Sequence, residues 1–208
     1  STKQLNKSQK MLSNLISLNT PPTKETLKIY CDASVSDPEA KSKESTFGIV
    51  FRKPDSDLIS LTISGRVKTN YSISTNDAEI WGIQCSLMQV EKMLKENRLS
   101  KIKNIDISCD NIEAVKFYNR IFEGKSEKQM NKKYKKAFEL LDNINKIIPL
   151  KISWVKGHSI NVYNEECDKL AKEAWKNFPE LDDFSKVIEI KSKINYLEND
   201  SFKILPKS

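Results

Sequence analysis

Residues 27–32, LKIYCD, alternate between apolar and polar side chains and end on an acid, Asp32. This alternation is typical of a half-buried β-strand. Two further strands are predicted at 47–51 and 58–64, separated by the turn-forming residues KPDSD. A charged, turn-rich loop at 36–46 separates the first strand from the second, and we expect this opening meander to be antiparallel.

The chain then alternates between helical and extended patterns as far as residue 176. The helix predicted after the third strand provides a crossover, so the fourth strand can lie parallel to the first. The element order is therefore βββαβααβα, which indicates a mixed α/β fold. The predicted strands are 102–109 and 150–155, and the predicted helices are 77–96, 111–122, 127–147 and 162–175.

Four acids stand where this order can bring them together. Asp32 and Asp110 each end a predicted strand, and sites form beyond the carboxyl ends of neighbouring parallel strands. Glu79 heads the apolar stripe of its helix, where a carboxylate is costly unless it is paired or bound to a cation. Asp168 lies in the last helix, ten residues after His158, the only histidine. Gathered carboxylates repel one another, and divalent cations with a preference for oxygen ligands, Mg²⁺ or Mn²⁺, relieve that repulsion.

Each acid also has a structural explanation, and the residues alone leave both open. Glu79 fits the third position of a capping box with Asn76 as the N-cap. Asp110 can cap the helix that follows it, and Asp32 can begin a turn. Asp168 can be a solvated residue on an exposed helix face. The loop histidine can be ordinary surface.

The four cysteines form no CxxC pair, so a structural zinc site is not expected. Three of them directly precede an aspartate, which raises a thiolate–carboxylate metal site as an alternative. Neighbouring side chains on a strand point to opposite faces, however, so we expect buried structural thiols in a reducing, cytoplasmic compartment. The cysteines are Cys31, Cys85, Cys109 and Cys167.

The net charge is +7, from 35 basic and 28 acidic residues, which favours a polyanionic partner only weakly. No run of about 18 apolar residues is present, so no membrane segment is expected. The polar N-terminus does not have the pattern of a signal peptide. Three tryptophans, at positions 81, 154 and 175, are expected to pack rather than to stack on bases.

Five motifs follow one another along the chain: YCDAS at 30–34, STNDAE at 74–79, SCDN at 108–111, WVKGH at 154–158 and NEECDKLA at 164–171. They resemble the motifs of type 1 ribonuclease H, within the ribonuclease H-like superfamily. The resemblance covers about residues 26–176, which predicts a catalytic domain at 27–176, a polar N-terminal extension at 1–26 and a C-terminal extension at 177–208. It implies a five-stranded mixed sheet with helices on both faces, in which the first three strands are antiparallel and strands one, four and five are parallel.

The resemblance implies an endonuclease that cleaves the RNA strand of RNA–DNA hybrids and leaves 5′-phosphate and 3′-hydroxyl ends. Asp32, Glu79, Asp110 and Asp168 would hold two Mg²⁺ ions, with Mn²⁺ as a substitute. His158 would assist proton movement or product release. Another nuclease of the superfamily, of the transposase, integrase or resolvase type, and a non-catalytic hybrid-binding module are the alternatives.

The resemblance also implies nucleic-acid contacts, chiefly through the minor groove and the 2′-hydroxyls. The lysines between positions 132 and 136 can track the DNA backbone or form a solvated helix face, and both readings stay open. A stand-alone enzyme and a domain of a larger reverse-transcription polyprotein are equally compatible with the motifs. The expected contact residues are Ala33, Ser34, Thr75, Asn76, Asn111, Lys132, Lys133, Lys135, Lys136 and Lys156.

Overall fold

The computed structural model describes residues 25–36, 42–122, 134–157, 161–181, 188–197 and 202, with no description of the side chains of 121 and 122. Several predictions made from the sequence fall outside these residues. They concern the polar N-terminal extension up to residue 24, the first part of the helix predicted at 127–147, and the side chains of Lys132, Lys133 and His158.

One mixed sheet organises the described residues, with the strand order β5-β4-β1-β2-β3-β6. The β1–β2, β2–β3 and β3–β6 pairs are antiparallel, and the β1–β4 and β4–β5 pairs are parallel. The predicted meander and the predicted parallel strands are therefore confirmed. The strands are β1 Thr26–Val35, β2 Glu44–Arg52, β3 Ile59–Thr69, β4 Asn104–Cys109, β5 Leu150–Trp154 and β6 Ile188–Tyr196.

The prediction of five strands is wrong, because the C-terminal extension supplies a sixth. Strand β6 pairs along β3, with Ile194 opposite Ile63. Its isoleucines Ile188, Ile190 and Ile194 pack against the main core, while Lys191 is exposed. The pairing satisfies backbone groups that an uncovered β3 would leave open at the sheet edge.

Helices cover both faces of the sheet, as the fold class requires. The first three, α1 to α3, pack on one face, and the fourth packs on the other against β1, β2 and β3. Apolar residues of α1 such as Leu87 and Val90 meet Ile29 of β1, while Tyr30 of β1 stacks on Tyr163 of α4. Alternate side chains of β1 thus contribute to two hydrophobic clusters, one on each face of the sheet. The helices are α1 Thr75–Lys95, α2 Ile112–Phe122, α3 Lys135–Asn145 and α4 Val162–Asn177.

Close approach of α4 to the sheet depends on Gly48 of β2. A Cβ atom at this position would lie 2.2 Å from the carbonyl oxygen of Cys167 and 2.7 Å from the Cβ of Leu170. The hydroxyl of Thr46 also donates to the carbonyl oxygen of Ala171, at 2.5 Å. Both contacts fix the distance between the sheet and α4, the helix that carries Asp168. No helix in the described ranges is long and apolar enough to cross a bilayer.

Candidate active site

Three acids from three elements meet at the carboxyl ends of β1 and β4. Cys31 of β1 and Cys109 of β4 are partners in the parallel strand pair. Asp32 and Asp110 are the next residues in the sequence, so they lie next to each other at the same edge of the sheet. Glu79, in the second turn of α1, reaches the same place. One oxygen of Glu79, one oxygen of Asp110 and the sulfur of Cys109 lie within 4.8 Å of one another. The sheet thus gathers acids that are 31 to 78 residues apart in the sequence.

The helix cap of α1 leaves the Glu79 carboxyl free. Ser74 is the N-cap, its hydroxyl accepts from the Asp77 backbone N–H at 3.1 Å, and the Asp77 carboxylate accepts from the Ser74 N–H at 2.9 Å. The capping box expected for Asn76 and Glu79 is therefore wrong by two residues. Glu79 is only 5% exposed, and it faces the other acids instead.

Asp110 is likewise free of a capping role. Asn111 caps α2 by accepting from the Ala114 N–H at 2.8 Å, so the alternative in which Asp110 caps that helix is wrong. The Asp110 carboxylate accepts from the side-chain amide of Asn164 at 3.3 Å. Its backbone carbonyl accepts from the Trp154 indole at 3.0 Å. Partners on α4 and β5 therefore fix the position of this acid.

Burial makes the carboxyls of Asp32 and Glu79 hard to ionise. Burial, followed by the charge of Asp110, raises the pKa of Asp32 from 3.8 to about 7, although a hydrogen bond from the Ala33 N–H opposes the rise. Burial, followed by the neighbouring Cys109 and Asp32, raises the pKa of Glu79 well above its ordinary value. The two carboxyls share a hydrogen bond. Such a pair favours either a bound proton or a bound cation.

Asp168 lies at the rim of the site rather than in its centre. Its side chain is 46% exposed and forms an ion pair with Lys172, one helical turn away, at 2.7 Å. Its charge is still close enough to contribute to the raised pKa of Asp32. The exposure of Asp168 agrees with the solvated-face interpretation, and its role as a metal ligand stays a prediction.

The cysteines beside the acids are buried, as expected. Cys109 donates its thiol proton to the Oε2 atom of Glu79 at a sulfur–oxygen distance of 3.5 Å. Hydrogen bonding with Cys31, and then burial, raise the pKa of the Cys109 thiol well above its ordinary value. In the metal-free site this thiol serves as a hydrogen-bond donor to Glu79. The neighbouring carboxylate oxygens are the type of ligand that Mg²⁺ and Mn²⁺ prefer.

The expected nucleic-acid contacts flank the acids on one side. Thr75 and Asn76 are exposed at the start of α1, and the Asn111 amide donates to the Oδ1 atom of Asn76 at 3.0 Å. This bond leaves the amide hydrogens of Asn76 available to an acceptor. On β1, Ala33 and Ser34 are half-buried beside Asp32.

Three of the lysines expected to contact nucleic acid are described, and they lie at the surface. Lys135 and Lys136 are exposed at the first turn of α3, and Lys156 is exposed in the segment after β5. Tyr134, just before α3, donates a hydrogen bond to the carboxylate of Asp77. This link places the start of α3 beside the start of α1.

Sequence reasoning missed three side chains that support the site. Asn164 and Trp154 hold Asp110, and Cys109 contacts Glu79. Trp81 is 5% exposed and packs as expected, whereas Trp154 is 49% exposed and contacts Asp110 through its indole N–H. None of these contacts has a local signal, because each joins residues far apart in the sequence.

The ribonuclease H family profile matches residues 24–176. The chain belongs to the ribonuclease H family. The matched range contains the two buried acids, Asp32 and Glu79, together with Asp110 and Asp168. It ends before β6, so the sixth strand lies beyond the family's matched range.

Known proteins resemble this ribonuclease H family member in part of the sequence and in the fold. Ribonuclease H of Clostridium botulinum is 50% identical over 46 residues, which are 22% of this chain and 31% of that protein. The alignment thus spans about a third of the curated relative. RNase H1 of Halobacterium salinarum has a TM-score of 0.50 at 15% identity, over 74% of this chain and 99% of that one. A foamy viral protease-reverse transcriptase in complex with an RNA/DNA hybrid has a TM-score of 0.55 at 16% identity, over 74% and 20% of the two chains.

Proposed function

We propose that this chain is an endoribonuclease that cleaves the RNA strand of RNA–DNA hybrids. The convergence of Asp32, Glu79 and Asp110 from three elements carries the proposal. Unused buried carboxylates destabilise a fold, so their collection at a sheet edge favours a catalytic use. Family membership and the hybrid-bound reverse transcriptase of similar fold support the same substrate.

The acids fit hard divalent cations. Carboxylate oxygens are the ligands that Mg²⁺ prefers. A cation would offset the burial and the repulsion by Asp110 that together raise the pKa of Asp32. Asp32, Glu79 and Asp110 would hold two Mg²⁺ ions together with Asp168 at the rim, and Mn²⁺ would substitute. When bound, divalent ions activate the attacking water and stabilise the departing 3′ oxygen, which gives 5′-phosphate and 3′-hydroxyl products.

The protein's own residues orient the acids for this reaction. Asn164 and Trp154 both hold Asp110 in place. Its carboxylate is therefore already ordered before a substrate binds. A Cβ at Gly157 would lie 3.2 Å from the Oδ2 of Asp110, so the segment after β5 passes close to the site. His158 follows directly, and we expect it to assist proton movement or product release.

Hybrid recognition would use the exposed polar residues beside Asp110. The amides of Asn76 and Asn111 form one linked pair that is suited to 2′-hydroxyl and phosphate oxygens. Tyr134 ties the start of α3 to Asp77, which follows Asn76 directly. The lysines of that turn thus lie on the same side as the amides, which favours contact with the DNA backbone over a purely solvated face.

The test is cleavage of a labelled hybrid in Mg²⁺ by the wild-type chain and by Asp110→Asn. We expect cuts in the RNA strand that the variant loses by a factor of about 10³ or more. The matched control is Asp106→Asn, which changes an aspartate of the same strand whose carboxylate accepts from Ser153 at 2.8 Å, and it should cut like the wild type.

Other outcomes would point to the alternatives. Preferential cutting of duplex DNA would favour a transposase, integrase or resolvase type of activity. Salt-sensitive binding of the hybrid without any turnover would favour a non-catalytic binding module. Either result would refute the proposed function.

A further inference from the structure

The thiol of Cys109 is directed at an acid of the site. Cys109 is the last residue of β4 and is fully buried beneath α1. Its sulfur lies 3.5 Å from Oε2 of Glu79, and this hydrogen bond joins the end of the strand to the second turn of the helix. The register neighbour, Cys31, is equally buried, but its thiol points to the carbonyl oxygen of Ser108 at 3.8 Å.

Glu79 needs such a donor because it is only 5% exposed. A carboxylate that binds a cation through one oxygen still has a second oxygen that must be hydrogen-bonded or solvated. A buried polar atom without a partner destabilises the arrangement that contains it. The Cys109 thiol donates to Oε2 of Glu79, and the Asp32 carboxyl shares a second hydrogen bond with the same carboxyl group.

The Cys109 proton has two neighbouring acceptors, the sulfur of Cys31 and the Glu79 oxygen. A carboxyl oxygen is the stronger acceptor, since thiol sulfur accepts hydrogen bonds only weakly. The geometry also allows both thiols to donate at once, Cys31 to Ser108 and Cys109 to Glu79.

We propose that Cys109 is a positioning residue for Glu79. Its thiol donates to Oε2 and so leaves the other oxygen of Glu79 directed at the divalent cation. The role rests on the proposed function, because it concerns the same acids. Packing alone does not require a hydrogen-bond donor at Cys109, so this role goes beyond filling the core.

The test separates metal affinity from stability. Cys109→Val keeps the approximate volume of the side chain and removes the donor, whereas Cys109→Ser keeps a donor and introduces a hydroxyl into an apolar site. Cys31→Val and Cys31→Ser are the matched controls. Calorimetric titration of the metal-free protein with Mn²⁺ measures the metal affinity without any substrate. Urea unfolding in EDTA measures the stability.

We expect Cys109→Val to bind Mn²⁺ about three- to tenfold more weakly, the factor that the loss of one modest hydrogen bond gives. Cys109→Ser should bind within twofold of the wild type even where its stability is lower. In hybrid cleavage, Cys109→Val should need more Mg²⁺ for the same kcat, with KM for the hybrid unchanged. Both Cys31 variants should bind Mn²⁺ like the wild type. If the valine variant does not fold, Cys109→Ala removes the same donor without adding a branch.

Wild-type affinity in the valine or alanine variant would overturn the role of Cys109. A Mn²⁺ affinity that falls in proportion to the loss of stability in all four cysteine variants would also overturn the role of Cys109. A wild-type chain that binds Mn²⁺ but does not cut the hybrid would refute the proposed function alone, because the metal titration still tests Cys109. A wild-type chain that binds no Mn²⁺ would overturn both.

Discussion

Replacing Asp32 by asparagine should stabilise the metal-free protein at neutral and alkaline pH. In the folded chain, burial and Asp110 raise the pKa of Asp32 from 3.8 to about 7. Between these two values the folded state binds more protons than the unfolded state, so the free energy of unfolding falls as the pH rises through this window. Asparagine has no such titration and keeps the oxygen that accepts from the Ala33 N–H.

The magnitude follows from the same two values. A pKa near 7 in place of 3.8 corresponds to at most about 4 kcal/mol, fully developed above pH 8 and absent below pH 3. Asp32 is 6% exposed, so solvent screens little of this effect. The shared hydrogen bond with Glu79 means that part of the effect belongs to the pair, and we expect a gain of about 2 to 4 kcal/mol for Asp32→Asn at pH 8.

Urea unfolding in EDTA at pH 4, 6 and 8 measures this difference. The control is Asp168→Asn, since Asp168 is 46% exposed and its removal loses only an exposed ion pair, which contributes little to stability. Added Mg²⁺ should then raise the stability of the wild type more than that of Asp32→Asn. A stability difference between Asp32→Asn and wild type that stays constant across the three pH values would refute the reasoning.

Three further predictions concern the scaffold and the substrate face. Gly48→Ala should destabilise the fold by about 2 kcal/mol or more, because its Cβ would lie 2.2 Å from a backbone oxygen. Gly82→Ala, whose Cβ would have its nearest contact at 3.7 Å, should be neutral or slightly stabilising. Urea unfolding compares the two variants, and equal effects on stability would contradict the close packing of α4. Asn111→Ala should lose about 1 kcal/mol of helix capping and also weaken hybrid binding, measured by unfolding and by fluorescence anisotropy; unchanged binding would exclude the amide pair from the interface. Replacing Lys135 and Lys136 together by alanine should reduce the slope of log affinity against log salt by about 1 to 2, and an unchanged slope would identify them as a solvated face.

Local periodicity was sufficient to predict most of the sheet and the helices around it. The alternation in 27–32 placed β1, and the helical spacing from Glu79 to Val90 placed α1, because both segments bury one regular face. The strand that the sequence did not predict, β6, has only weak alternation and depends on pairing with β3, more than 100 residues earlier. Such pairing has no local signature.

Positions of the acids were predictable, but their surroundings were not. Asp32 was expected to end its strand, but β1 continues to Val35. Asp32 and Asp110 instead follow the last paired residues of two parallel strands, Cys31 and Cys109, and this topology brings them together. For the cap of α1, the pair Ser74 and Asp77 and the pair Asn76 and Glu79 have the same spacing, and only the structure shows that the first pair forms the box. The contact between Cys109 and Glu79 depends on how deeply α1 packs, which the sequence does not encode locally.

Diffraction from crystals soaked in Mn²⁺ tests the central claim most directly, because anomalous scattering locates each ion independently of the protein atoms. We predict two ions between the carboxylates of Asp32, Glu79 and Asp110, one of them also near Asp168, with manganese–oxygen distances of about 2.2 Å. Manganese found only at sites away from these carboxylates, at concentrations that support hybrid cleavage, would contradict the assignment of the acids as the metal site.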